Sequence, residues 1–265
     1  MLKLELSEIY NQYLSEIESD NKSKYQEKNP GKYYRASSAG HCFKKHWFAM
    51  NGYEGKEMDE KSRRLLRLGT IVHEDIEKAI NWYSSFNLGK DKSDKRPNLY
   101  SDDYFIDFNT EYEVLIEELN VMGSSDIVAI SNSSVHDIDE ASACVIDIKT
   151  THSYKWKMMF GRNKEPKPSR MYELQLGTYA LGVCNQENIK PENISMYLVY
   201  YKKDDSLMKP VEVNNVWMDN AAEYWFTLNE TLDMVKEEAD LPRDTLNVPI
   251  EQWECRYCQF EPICN

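Results

Sequence analysis

The sequence predicts a mixed α/β fold, one sheet with helices on its faces, and three observations carry that expectation. From Tyr104 onward the hydrophobic period changes from helical to strand-like, and the runs YFIDFNTEYEVLIEEL, SDIVAI and ACVIDIKT read as strands. The turn signals MGSS and SNSSVHDIDE between them imply an antiparallel meander. A helix from about Arg170 to Cys184 then leads to a further strand, ISMYLVYY, with LMKPVEV as an edge strand. An order of helix, three strands, helix, strand places helices against a mixed sheet.

The flanking elements follow the same logic. Leu2, Leu6, Ile9, Tyr13 and Ile17 fall at helical spacing, so Leu2 to Ile17 reads as an amphipathic helix, with a polar loop from Glu18 to Gly31. Arg35 to Met50 reads as a capped turn entering a short helix, with Ser37 or Ser38 as the N-cap. After a charged linker, a long helix from about Lys61 to Tyr83 directs Leu65, Leu68, Val72, Ile76 and Ile80 toward the core. Asn87 to Asp103 is turn-rich and expected to be exposed, and a last long helix covers about Met218 to Asp240. These readings divide the chain into an N-terminal helical segment over 1–60, a core over 61–215 and a C-terminal helix with a cysteine tail over 216–265.

Composition bounds the function. The 265 residues carry 45 acidic against 32 basic side chains, a formal net charge of −13, with a pI near 5.0. Hydrophobic residues at 41% supply enough apolar surface for a core, which excludes a disordered chain. No run approaches the ~20 apolar residues of a membrane helix, and MLKLELSEIY lacks the charged-then-apolar order of a signal peptide, so a soluble cytoplasmic protein without membrane contact is expected. An acidic chain repels phosphate, so any nucleic-acid contact must come from local basic patches. Two exist. From Lys155 to Arg170 six basic residues, Lys155, Lys157, Arg162, Lys164, Lys167 and Arg170, face one acid, Glu165, and Tyr154, Trp156 and Phe160 are interleaved. Lys61, Arg63, Arg64 and Arg67 form the second. A solvated flexible loop is the ordinary alternative for the first.

Several residues carry chemistry. Asp147 and Lys149 are two apart on a strand and share one face, while Ile146 and Ile148 take the other. Such a pair alone is also what a surface ion pair looks like. Asp126, at the start of the preceding strand, adds a second carboxylate, and two acids beside a lysine form an oxygen-rich pocket suited to Mg²⁺ or Mn²⁺. Glu113 is a lesser candidate for a second ion. His73 lies on the long helix in one stripe with Gly69, Ile76 and Ile80, where it is either a core histidine or an imidazole delivered to those carboxylates. Tyr172, Gln175 and Tyr179 share a helical face, and an inward amide such as Gln175 must hydrogen-bond something. Cys144 and Cys184 stand in apolar surroundings and read as small buried hydrophobes, whereas Cys255, Cys258 and Cys264 crowd into WECRYCQFEPICN.

Taken in order, Gly69-x3-His73, Gly123-x2-Asp126, Asp147-x-Lys149 and Gln175-x3-Tyr179 resemble the PD-(D/E)XK nuclease superfamily, in the branch of RecB-type domains and CRISPR-associated iron-sulfur exonucleases. Gly-Ser-Ser replaces the proline of the superfamily's name before Asp126. The resemblance implies a restriction-endonuclease-like sheet and a 4Fe-4S cluster on Cys42, Cys255, Cys258 and Cys264, with zinc as the alternative, joining the N- and C-terminal segments. It implies a divalent ion held by His73, Asp126, Asp147 and the carbonyl of Ile148, with Lys149 acting on the attacking water. Gln175 and Tyr179 position the DNA backbone or the lysine. The implied activity is Mg²⁺- or Mn²⁺-dependent exonuclease action on single-stranded DNA or DNA ends, in recombination, repair, phage DNA processing or CRISPR spacer acquisition. A helicase or a spacer-integration complex fits as partner, in a bacterial, archaeal or phage-infected cell. A structure-specific endonuclease on the same fold, or a non-catalytic DNA-binding scaffold with a structural metal site, stand as alternatives. No G-x4-G-K-[ST] loop is present, so ATPase function would come from a partner.

Overall fold

The computed structural model describes residues 6–29, 31, 33–87, 105–132, 141–162, 165–237, 241 and 252–264. Leu2, the turn-rich stretch 88–103, the 133–140 turn and Lys164 therefore lie outside the described residues. Two compact units emerge: one comprises 1–34, 41–72 and 231–265, the other 35–40 and 73–230. Among the described residues no helix is long and apolar enough to cross a membrane.

The larger unit is built on the sheet. Strands β2 (Phe105–Ile116), β3 (Val121–Asn132) and β4 (Ser142–Thr151) form the expected antiparallel meander, with Ile127 opposite Ile146 and Val114 opposite Gly123. Strand β5 (Ile194–Lys202) runs parallel to β4, and β6 (Met208–Val213) pairs antiparallel with β5. The strand order is β1-β3-β4-β5-β6, where β1 is the two-residue strand Tyr34–Arg35, and β2 also pairs with β3. A parallel β4–β5 pair requires a crossover, and helix α5 (Arg170–Glu187) supplies it.

Helix α5 is buried through its middle, from Leu174 to Cys184, because it packs on the sheet on one side and on helix α6 (Val216–Asp233) on the other. Two glycines permit this. A Cβ on Gly182 would stand 2.6 Å from the Val114 Cβ, and one on Gly177 would stand 2.1 Å from the Trp217 carbonyl oxygen. Between the helices the fully buried Trp225 donates its indole N–H to Thr178 Oγ1 at 2.7 Å, while the Thr178 hydroxyl returns to the Leu174 carbonyl at 2.6 Å. Every polar atom of that contact is thus satisfied within the core.

The smaller unit contains helices α1 (Leu6–Lys28) and α2 (Phe43–Met50), the first half of α3 (Glu60–Asn87) and the short α7 (Gln252–Arg256). Its C-terminal tail is fixed to the α2 region by packing: the rings of Phe48 and Phe260, each 1% exposed, lie 5.4 Å apart, and the Lys56 N–H donates to the Gln259 carbonyl at 2.7 Å. Aromatic burial at this level contributes about 1.5–3 kcal/mol per ring.

Several expectations are corrected. The segment read as a loop from Glu18 continues α1 to Lys28, since Glu, Lys and Gln are good helix formers and polarity alone does not break a helix. Ser37 and Ser38 sit in a one-turn 3₁₀ segment, and Cys42 precedes α2 without a side-chain cap. The MGSS segment is not a turn; it lies inside β3, and the chain reverses instead at Glu117–Asn120, where Asn120 takes a left-handed φ of 51°. Gly123 serves close approach, because a Cβ there would meet Ala36 at 2.6 Å and the Tyr179 ring at 3.1 Å. In the lysine-rich connection the chain forms helix α4 (Ser153–Phe160). Leu65 and Leu68 do not face a core, being 48% and 51% exposed, while Val72, Ile76 and Ile80 are half-buried. Cys184 is buried as expected and Cys144 is intermediate.

The α5–α6 contact gives the first prediction. Gly177→Ala should destabilise the protein by about 1–3 kcal/mol, because the Cβ meets backbone rather than a side chain that can rotate away. A urea midpoint unchanged from the parent would contradict this packing.

Candidate active site

Strand β4 carries the centre. Asp147 and Lys149 project from one face as their spacing predicts, and the Lys149 ammonium lies 2.6 Å from Asp147 Oδ2. Asp147 is only 2% exposed, in the sheet interior between β3 and β5. Burial pushes its carboxyl up, Lys149 opposes that, and Asp126 pushes it up further; burial wins. The lysine therefore does not by itself balance the buried charge. An orphaned polar group lies nearby: the hydroxyl of the fully buried Tyr200, the residue paired with Lys149 across β4 and β5, has no hydrogen-bond partner among the described residues.

Asp126 stands on β3 one residue before its ladder with β4 begins at Ile127. Continuing the register by one residue sets it across from Asp147, on the same face. Its Oδ2 accepts the Ile148 N–H at 2.5 Å, satisfying a strand amide beyond the end of the ladder. Its Oδ1 lies 3.3 Å from His73 Nδ1, so α3 does deliver the imidazole to the carboxylates. Burial lowers the His73 pKa, but its hydrogen bond to Asp126 and the charges of Asp126 and Asp147 outweigh burial and raise it.

Sequence reasoning missed two further acids. Glu77, one helical turn after His73, joins His73 and Asp126 in a trio whose ligand atoms lie within 4.8 Å of one another. Its carboxyl is pushed up to about 7, first by burial and then by Glu111 and Asp126. Glu111 sits on β2 where the ladder with β3 is interrupted opposite Asp126, with a left-handed φ of 50° that a glutamate rarely adopts. It accepts a hydrogen bond from Ser124 and faces Glu77. The H-x3-E spacing on one helix face was a readable signal for Glu77. The ladder break that sets Glu111 against Glu77 was not, because strand alternation puts Glu111 and Glu113 on one face and both are exposed. Repelling carboxylates with an imidazole beside them are what a divalent cation would satisfy. The donor set fits a hard ion, through oxygen and one nitrogen. Asp147 lies outside the 4.8 Å trio, although its charge reaches both Asp126 and His73.

Helix α5 completes the site. The Lys149 ammonium donates to Gln175 Oε1 at 2.8 Å, and Gln175 Nε2 donates to the Tyr179 hydroxyl at 2.9 Å. Lys149 also lies 4.7 Å above the Tyr172 ring. Gln175 and Tyr179 thus reach the lysine, one of the two roles expected for them, and burial drives the Tyr179 hydroxyl far above its ordinary pKa, keeping it neutral.

The four cysteines all belong to the smaller unit, and all are free thiols. Burial raises the Cys42 and Cys264 thiols, and the Cys255 and Cys258 thiols raise both further. Among the described residues, however, the sulfurs do not gather within ligand-sharing distance as the His73 trio does. The second basic patch is largely neutralised within the smaller unit: Arg63 pairs with Glu18 at 2.7 Å and Arg64 with Glu60 at 3.5 Å.

A family model described as the PD-(D/E)XK nuclease superfamily matches residues 110–265. Among solved structures, the crystal structure of SSO0001 is 19% identical, with a TM-score of 0.45, covering 88% of this chain and 85% of that one. A provisionally described exonuclease from Eubacterium rectale is 12% identical, with a TM-score of 0.43, covering 86% of this chain and 94% of its own. No curated protein matches.

The carboxylate repulsion generates a prediction about metal. At about pH 8 in EDTA, Glu77→Gln should raise Tm by a few degrees, about what 1 kcal/mol gives in a chain of this size, because it removes one of the crowded charges. The same variant should bind Mn²⁺ more weakly by calorimetry. A Tm that falls in EDTA, with unchanged Mn²⁺ affinity, would place Glu77 outside the cation site.

Proposed function

The chain belongs to the PD-(D/E)XK nuclease superfamily, and on that premise we propose that it is a metal-dependent DNA exonuclease acting on single strands or DNA ends. Nucleases of this superfamily use divalent metals. The observation that carries the reading is the buried Asp147 carboxylate, incompletely balanced by Lys149 and within reach of the charges of Asp126 and His73, which Glu77 joins on their other side.

In this reading His73, Asp126, Asp147 and the Ile148 carbonyl would hold Mg²⁺ or Mn²⁺, with Glu77 as an additional carboxylate, and such an ion would supply Lewis acidity toward the scissile phosphate and the attacking water. Lys149, held at fixed height by Gln175 and by the Tyr172 ring, orients the attacking water and offsets charge that develops on the phosphate. Tyr179 stays protonated and fixes the Gln175 amide, so that its oxygen and not its nitrogen meets the lysine. Asp126 orients the His73 imidazole through Nδ1. The basic segment after β4 receives the DNA backbone.

For the thiols we propose a 4Fe-4S cluster on Cys42, Cys255, Cys258 and Cys264, with structural zinc as the alternative. Its support is their common unit and the raised Cys42 and Cys264 thiols, whose charged forms burial and the neighbouring sulfurs disfavour and a bound cation would stabilise. The tail is already packed on the α2 region through Phe48 and Phe260, so the cofactor would reinforce an existing contact.

Asp147→Asn and Lys149→Gln should each lower DNA cleavage with Mn²⁺ by about 10²–10³-fold or more, with circular dichroism unchanged. End-labelled substrate read over time separates release of single nucleotides from internal cuts. Undiminished cleavage by either variant sinks the assignment. Anaerobically purified protein should contain iron and sulfide, and Cys258→Ser should lose both along with several degrees of Tm; a parent holding neither iron nor zinc would remove the cofactor from the proposal.

A further inference from the structure

The connection after β4 carries features that hydrolysis does not use. Helix α4 begins directly beyond the strand holding Asp147 and Lys149, and His152 lies three residues past the lysine, about 10 Å at strand spacing. His152 is the N-cap of α4, and its Nδ1 accepts the Lys155 N–H at 3.5 Å, which fixes the imidazole plane. Tyr154 stacks on that ring, centroids 6.3 Å apart and planes 21° from parallel, and remains 72% exposed.

The inner side of α4 is already committed. Met159 is buried, the rings of Trp156 and Phe160 are 4.6 Å apart, Phe160 meets Tyr200 edge-on, and the Lys209 ammonium lies 4.6 Å from the Phe160 centroid. Trp156 and Phe160, read in the sequence as stacking candidates, are thereby occupied within the protein. Tyr154 faces outward with Lys157 one turn on, and Arg162, Lys167 and Arg170 follow, all exposed. In a chain of net charge −13, this is a local reversal of sign. A lone exposed tyrosine is ordinary. One stacked on a fixed imidazole, among cations, on a helix tied to the catalytic lysine is less so. The tie is direct: Lys155 Nζ donates to the Tyr172 hydroxyl at 3.1 Å and lies 4.8 Å from the ring that also carries Lys149.

Resting on the nuclease reading, we infer that the His152–Tyr154 pair is a base-stacking platform for single-stranded DNA. It holds an unpaired base a few nucleotides from the scissile phosphate, and Tyr154 sets the preference for single strands over duplex. A π face is open to the tyrosine only when the base is unstacked, and stacking tolerates any sequence. The exposed Lys157 and Arg162 meet the phosphates on either side.

The test uses the full chain in EDTA, where nothing is cut, with oligothymidylate carrying one 2-aminopurine and the same strand in a duplex. Tyr154→Ala should weaken single-strand binding about tenfold and abolish the 2-aminopurine quenching, with duplex binding unchanged. Tyr154→Phe, which keeps the ring, should retain both signals. Single-strand affinity equal to the parent's in Tyr154→Ala, or an equal loss on both substrates, overturns the platform. The nuclease reading fails separately, if the parent with Mn²⁺ leaves DNA intact while the quenching still depends on Tyr154.

Discussion

A carboxylate placed 2% exposed within a sheet must be balanced or it neutralises, and Asp147 imposes that condition on everything around it. Lys149, two residues along the same strand, is the first answer, yet burial still wins over the lysine in setting the Asp147 pKa. Breaking such a buried pair costs about 3–5 kcal/mol, so the lysine cannot leave and must itself be held. Gln175 and the Tyr172 ring hold it from α5, and Tyr179 orients Gln175. On the other side, Asp126 and His73 form the next ring of charge, and Glu77 and Glu111 extend it until like charges repel. The site is a stack of partial compensations, and the deficit that remains has the sign of a cation.

That arrangement depends on one helix lying close to one sheet. The α5 crossover brings Gln175 and Tyr179 over β4 only because Gly182 admits Val114, Gly177 admits the backbone of α6, and Gly123 admits the Tyr179 ring. Three missing Cβ atoms thus set the depth at which a hydrogen-bond chain from Tyr179 to Lys149 can close. The buried Trp225–Thr178 bond fixes α5 from behind. Within the site, Glu111 takes a left-handed backbone that sets its carboxylate against Glu77 at the interruption of the β2–β3 ladder.

The smaller unit follows a different logic. Its apolar packing of Phe48 on Phe260 and the Lys56–Gln259 bond bring the C-terminal tail against the α2 region. At that junction burial, with the charge of the neighbouring sulfurs, raises the Cys42 and Cys264 thiols. The α3 stripe illustrates the limit of periodicity: Leu65 and Leu68 recur as an amphipathic helix demands, yet stand about half exposed.

The sequence by itself determined the strand meander, the helix and further strand that follow it, and the strand and helix faces on which His73, Asp126, Asp147, Lys149, Gln175 and Tyr179 stand, because strand alternation and helical spacing are local rules that place side chains on faces. It also singled out the three tail thiols by their spacing. Only the tertiary structure decided that MGSS is strand rather than turn, that Glu77 joins His73 and Asp126 and meets Glu111, and that Trp156 and Phe160 are packed while Tyr154 is open. Each of those outcomes turns on close approach between elements distant in the chain: Ala36 on Gly123, Glu77 on Glu111, Tyr200 on Phe160. Contacts of that kind have no local period for a sequence to display.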